Sequence, residues 1–282
     1  MRLAALLFFF GPTVALTFAE PALFDGESLT YKVGWGLFLH AGEISISAQI
    51  APTVPEALCV TTTTATRGVA RVLFKFEGRA EALLEAKTGR LLSNIETSRA
   101  PNKETKVSVT LDYASLTAHY VNGLNAEKNT TIALPPGDPL DLIMSLVQTR
   151  LWNLKPGDQR DALVLFEDEF YDLTIHALRY EDVTTPLGTF NTLVLEPRME
   201  KTPPKGMFKR GSAVSVWISQ DERRLPVKFK VEFKFGAGVA TLIKYQPPAF
   251  GRASVGAPSA SAKSEANSAA ATVESDAKNP RS

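Results

Sequence analysis

The chain has 282 residues, 44% of them hydrophobic, enough to build a core in one large domain or two small ones. Thirty-one basic residues against 30 acidic ones leave a net charge of +1, which excludes a general electrostatic pull toward nucleic acid or anionic lipid. A single cysteine, Cys59, excludes an internal disulfide, and its place between Leu58 and Val60 in a strand-like run reads as a buried, inert thiol.

Residues 1–19 read as a secretory signal peptide. Arg2 gives a positive start, Leu3 to Phe10 is a continuous apolar run, and Gly11-Pro12 breaks it. Thr17-Phe18-Ala19 then places small residues where a signal peptidase cuts, so cleavage is expected after Ala19 and export to the periplasm follows. No later segment reaches about 18 consecutive apolar residues, so no transmembrane helix is expected in the mature chain.

From Phe24 to Tyr245 the dominant period is two. Thr30-Tyr31-Lys32-Val33, Glu43 to Ser47, Lys106 to Leu111 and Phe229 to Phe235 all alternate, as strands with one dry and one wet face do. Turn signals recur at Lys87-Thr88-Gly89, Val121-Asn122-Gly123, Pro186-Leu187-Gly188 and Gly236-Ala237-Gly238, which predicts about a dozen strands. One segment breaks the pattern. Asp138 is placed to cap a helix from Pro139 to Trp152, with Leu140, Ile143, Met144, Val147 and Leu151 along one stripe. The expected fold is mainly β: a curved antiparallel sheet or open β-barrel in residues 20–248, with that one amphipathic helix on its concave face. Residues 249–282, rich in Ala and Ser, read as a disordered tail.

Several local patterns invite a chemical reading. Glu167-Asp168-Glu169-Phe170-Tyr171-Asp172 is acidic, but it lacks the alternate spacing and turning glycine of a calcium loop, so a hairpin tip is expected there. His40, His119 and His176 form no H-x-H or H-E-x-x-H arrangement, so no metal site is expected. There is no G-x-S-x-G elbow and no phosphate loop, and neither catalysis nor a cofactor is expected. Lys201, Lys205, Lys209 and Arg210, beside Met207 and Phe208, could meet a lipid headgroup. Trp35, Phe74, Phe76, Met144, Trp217 and Phe233 are the candidate lining of an apolar ligand cavity. Within the late hairpin, Trp217 is the favoured contact, and the charges Asp221 to Arg224 are expected to scatter at a turn before Pro226.

Three stretches carry a family resemblance. Phe24-Asp25-Gly26-Glu27-Ser28-Leu29-Thr30-Tyr31, followed by Gly42-Glu43, resembles the start of the DUF3108 family. Asp141 to Leu146 with Arg150, then Pro156-Gly157-Asp158, is similar to its middle; Thr185 to Phe190 and Val216 to Val227 are similar to its late strands. That resemblance implies an exported bacterial protein and supplies no catalytic residues. A looser architectural likeness is to the periplasmic lipoprotein-carrier fold, in which an open barrel holds acyl chains under a helix; fold alone does not fix function. The expected function is non-catalytic binding of a lipid or other apolar envelope molecule. The alternatives are a fully packed structural protein, and an envelope hydrolase should His176 and Asp172 converge with a serine.

Overall fold

The structure, a computed structural model, describes residues 21–204, 208, 213–233 and 236–249. The signal peptide, nearly all of the tail, and Lys205, Lys209 and Arg210 lie outside the described residues. A first meander runs through β1 (Ser28–Trp35), β2 (Phe38–Ile50), β3 (Ala57–Thr66), β4 (Glu77–Glu85), β5 (Leu91–Ala100), β6 (Lys103–Asp112), β7 (Thr117–Asn122) and β8 (Thr130–Ala133). A short helix, α1 (Gly68–Leu73), interrupts it between β3 and β4. Then come β9 (Leu140–Asp141), α2 (Leu142–Gln148) and a second meander of β10 (Gln159–Phe166), β11 (Glu169–Thr185), β12 (Gly188–Arg198), β13 (Ala213–Ser219), β14 (Pro226–Phe233) and β15 (Gly236–Gln246).

The two meanders join where β1 pairs with β15, so all fifteen strands form one sheet, with β8 and β9 at its edges. Every neighbouring pair is antiparallel except β9 with β10. The two edges do not hydrogen-bond, so the barrel stays open. It is nonetheless rolled. Arg90, in the β4–β5 turn, reaches Asp138, just before β9, at 2.7 Å. Val107 and Val109 of β6 share a core with Met144 and Val147 of α2 and Leu165 of β10. Residues from opposite ends of the strand order meet over α2 because each strand buries alternate side chains on the same side.

α2 lies on the concave face, as the sequence predicts, but its bounds and its cap differ. Leu140 and Asp141 are extended and pair with Val164 and Leu165. Asp141, not Asp138, is the cap: its Oδ1 accepts from the backbone N–H groups of Ile143 and Met144 at 2.9 and 3.1 Å. α2 ends at Gln148, and a single 3-10 turn, Thr149–Leu151, completes the segment. α1 is unexpected. It buries none of its residues, and Gly68 takes φ +54° at its start. It also displaces Phe74 and Phe76 from the strand faces on which alternation places them. Gly236 and Gly238, expected in a turn, begin β15 instead, with Gly236 paired to Phe233.

Candidate functional site

The site is the space between α2 and the concave sheet face. Strand alternation points Tyr31 and Val33 of β1, Ile44 and Ile46 of β2, Val214 of β13 and Phe229 of β14 inward. The 100° step of the helix turns Leu142, Ile143 and Leu146 of α2 toward them. Between the two lies a cavity of about 230 Å³ whose lining contains no charged side chain. A second cavity, of about 460 Å³, lies between α1 and the ends of β1, β2 and β3, lined by Phe38, Ala41, Leu73, Phe74 and Phe76 among others. Val33 and Trp35 line both, so the two spaces share a wall.

Trp35 sits at that shared wall because its neighbours lack side chains. A Cβ on Gly238 would stand 3.3 Å from the indole ring, and one on Gly236 would stand 3.8 Å from the indole nitrogen. The sequence places Trp35, Phe74 and Phe76 in a candidate lining, and all three border these cavities. Met144 does not: it is buried in the core on the other side of α2. Nor does Trp217. It faces away from the side that Val214, Val216 and Ile218 share, its Nε1–H donates to Glu181 Oε1 at 3.1 Å, and Lys228 Nζ lies 4.2 Å from its ring centre. A buried indole satisfied in this way is a packing residue. Phe233 pairs through its backbone with Gly236, and its side chain lies outside the described set.

The charged groups pair among themselves. Lys201 lies 2.8 Å from Asp161 and 3.3 Å from Asp172, so carboxylates already occupy the ammonium proposed for a headgroup. These bonds, the one to Asp161 first, raise the Lys201 pKa. Phe208 is buried edge-on against Tyr171 at 6.4 Å and is not an exposed tip. Glu167 and Asp168 form the β10–β11 turn, as expected. His176 bonds Glu200 and His119 bonds Thr131; no hydrogen bond joins a histidine to a serine among the described residues. Among the same residues no three His, Cys, Asp or Glu side chains gather as metal ligands do.

A buried polar knot whose pairing no local sequence pattern announces closes the opposite end of α2. Arg150 and Glu27, 2% and 1% exposed, meet at 2.7 Å. The Arg150 guanidinium also donates to the carbonyls of Ala22 (3.1 Å), Arg223 (2.7 Å) and Arg224 (3.2 Å). Glu27 accepts in addition from Tyr245 Oη at 3.2 Å and the Phe24 N–H at 3.2 Å. Arg224, at φ +50°, donates back to the Trp152 carbonyl at 2.6 Å. Nearby, the Tyr31 hydroxyl donates to the Pro226 carbonyl at 2.8 Å, and burial raises its pKa. The turn Asp221–Arg224 therefore converges on the 3-10 turn that follows α2, through its backbone carbonyls and one guanidinium. The available signal was Arg150 itself: it falls on the apolar stripe of α2, three and four residues after Val147 and Leu146.

Among the described residues no helix is long and apolar enough to cross a membrane. No curated protein matches the chain significantly. Among solved structures it is similar to a beta-barrel-like protein of a domain of unknown function, DUF1849, from Brucella abortus: 8% identity, a TM-score of 0.51, 80% of this chain and 98% of that one. That likeness shows the fold. A candidate lipoprotein from Parabacteroides distasonis (10% identity, TM-score 0.33, 81% and 99% covered) and a candidate exported protein from Bacteroides fragilis (11%, 0.32, 81% and 99%) superpose too loosely to bear on it. Residues 30–243 match the protein family of unknown function DUF3108, and the stretches Phe24–Tyr31, Asp141–Arg150 and Val216–Val227 meet at the knot just described. The chain belongs to the DUF3108 family.

Proposed function

We propose that this is an exported, non-catalytic binding protein of the bacterial envelope, working in the periplasm, whose open barrel takes an acyl chain or similarly apolar molecule between α2 and the sheet. The observation that carries the reading is the apolar space beneath α2, walled by Tyr31, Val33, Ile46, Leu146 and Phe229 and separated only by Val33 and Trp35 from the larger space beneath α1. A fully packed barrel would leave no such space beneath α2. The inner space, about 230 Å³, is smaller than ordinary ligand sites of roughly 300–1,000 Å³, so a bound chain would move the Val33–Trp35 wall and extend into the outer space of about 460 Å³. With no charge in the inner lining, affinity comes from apolar area removed from water, about 25 cal/mol per Å². A polar headgroup would stay toward Thr64 and Thr66 at the outer space. The signal-peptide reading of residues 1–19 supports the compartment.

The test is titration with a fluorescent fatty acid. Wild type should bind it saturably. Ala240→Leu, which pushes a larger side chain into the inner space, should weaken binding about tenfold, while Trp217→Phe, on the other face, should leave it unchanged. Absence of saturable uptake by a folded wild type would sink the proposal.

A further inference from the structure

One end of the molecule presents apolar side chains to solvent. At the β1–β2 turn Leu37 is 98% exposed and Leu39 82%, with Phe38 between them. Beside this turn stands α1, fixed to β2 by the Arg67 N–H bonding the Ala41 carbonyl at 2.9 Å. Val69 and Val72 (85% exposed) lie open on it, and Leu73 and, just past its end, Phe74 stay more than half exposed although they also border the outer space. Seven of the fifteen large apolar side chains that the described residues expose lie in these two short segments, Trp35 at the end of β1 is an eighth beside them, and most of the others are scattered. A helix that buries nothing gains no stability from a core. Concentrated apolar exposure of this kind marks a contact surface.

Its chemistry selects the partner. Residues 67–76 contain Arg67, Arg71 and Lys75 and no carboxylate. Arg67 and Arg71 reach Glu43 and Glu77 in exposed pairs at 3.3 and 2.5 Å, contacts of little net strength that a phosphate can replace. Lys75 makes no ion pair among the described residues. Almost fully exposed apolar tips flanked by cations suit a deformable, anionic layer: the tips enter the acyl boundary while the cations stay among the phosphates. We propose that α1 and the β1–β2 turn together dock this protein onto an anionic lipid bilayer. The docking surface borders the cavity wall at Trp35, so a bound protein turns the outer space toward the membrane. This surface stands on its own exposure and charge and does not require the cavity to be filled.

The test is flotation of the full chain with vesicles of phosphatidylglycerol and phosphatidylethanolamine in equal parts. Wild type should float. The double variant Leu37→Asp, Val72→Asp alters two solvent-exposed side chains; it should keep the wild-type circular dichroism and bind at least about tenfold more weakly. Arg71→Gln with Lys75→Gln should weaken binding about fivefold per charge, an effect that added salt removes. Both proteins carry the same termini, so a double variant that floats like wild type binds through an end and overturns the proposal. So does a wild type that fails to float, including one that self-associates through this surface instead.

Discussion

Arg150 shows what a single buried charge does here. Its guanidinium makes four hydrogen bonds, to three carbonyls and one carboxylate, and each lies on a different segment from its own. Burying such a pair is costly, and good geometry only offsets that cost. Removing one partner is different, because the other is left charged and dry. Arg150→Met should therefore cost about 3–5 kcal/mol in urea unfolding, and Arg150→Met with Glu27→Gln should recover part of it. Equal stability of Arg150→Met and wild type would show that the knot adds nothing. The sequence exposes half of this: an arginine on an apolar helical stripe is anomalous, but Glu27 sits in an unremarkable turn, and no local pattern pairs residues 123 positions apart. Trp217 fails for a related reason. Strand parity correctly sets it opposite the valines, but parity does not say which side α2 covers.

The elements were legible to the degree that they bury a periodic face. The strands alternate and were read; α1 buries nothing, spans six residues and left no stripe to read. The sequence pattern extends α2 too far because Leu140 continues its stripe, yet Leu140 and Asp141 are held extended by pairing with β10. Asp141 at the start of α2 also makes that element pH-sensitive. Its burial first, with the Glu96 carboxylate adding, pushes its pKa up to about 6 from 3.8, against the pull of two backbone N–H bonds; its Oδ2 has no partner. Between those values the folded chain holds a proton that the unfolded chain has released. Stability should thus fall as pH rises from about 4 to about 6 and stay lower above that, by on the order of 3 kcal/mol at most. Burial raises the Glu96 pKa as well, and its contribution has the same sign. Asp141→Asn keeps the capping oxygen and loses the charge, so its melting temperature should exceed that of wild type at pH 7 and converge with it near pH 4. A wild-type lead at pH 7 would show that the carboxylate is not strained there.

At the scale of the whole molecule, two meanders share one sheet through β1 and β15, and α2 spans the concavity between the open edges. This much follows from alternating runs broken by one amphipathic segment, which is why the fold class was readable. Volume was not. The same apolar residues would build a solid core if α2 sat an ångström or two deeper, and composition is silent on that distance. The central claim is that the space beneath α2 holds a molecule taken from the envelope. Native mass spectrometry of the protein purified from cells tests it most directly. A population heavier than the chain by the mass of a lipid or acyl compound is expected, depleted in Ala240→Leu; a single unliganded mass, with the variant indistinguishable from wild type, would contradict the claim.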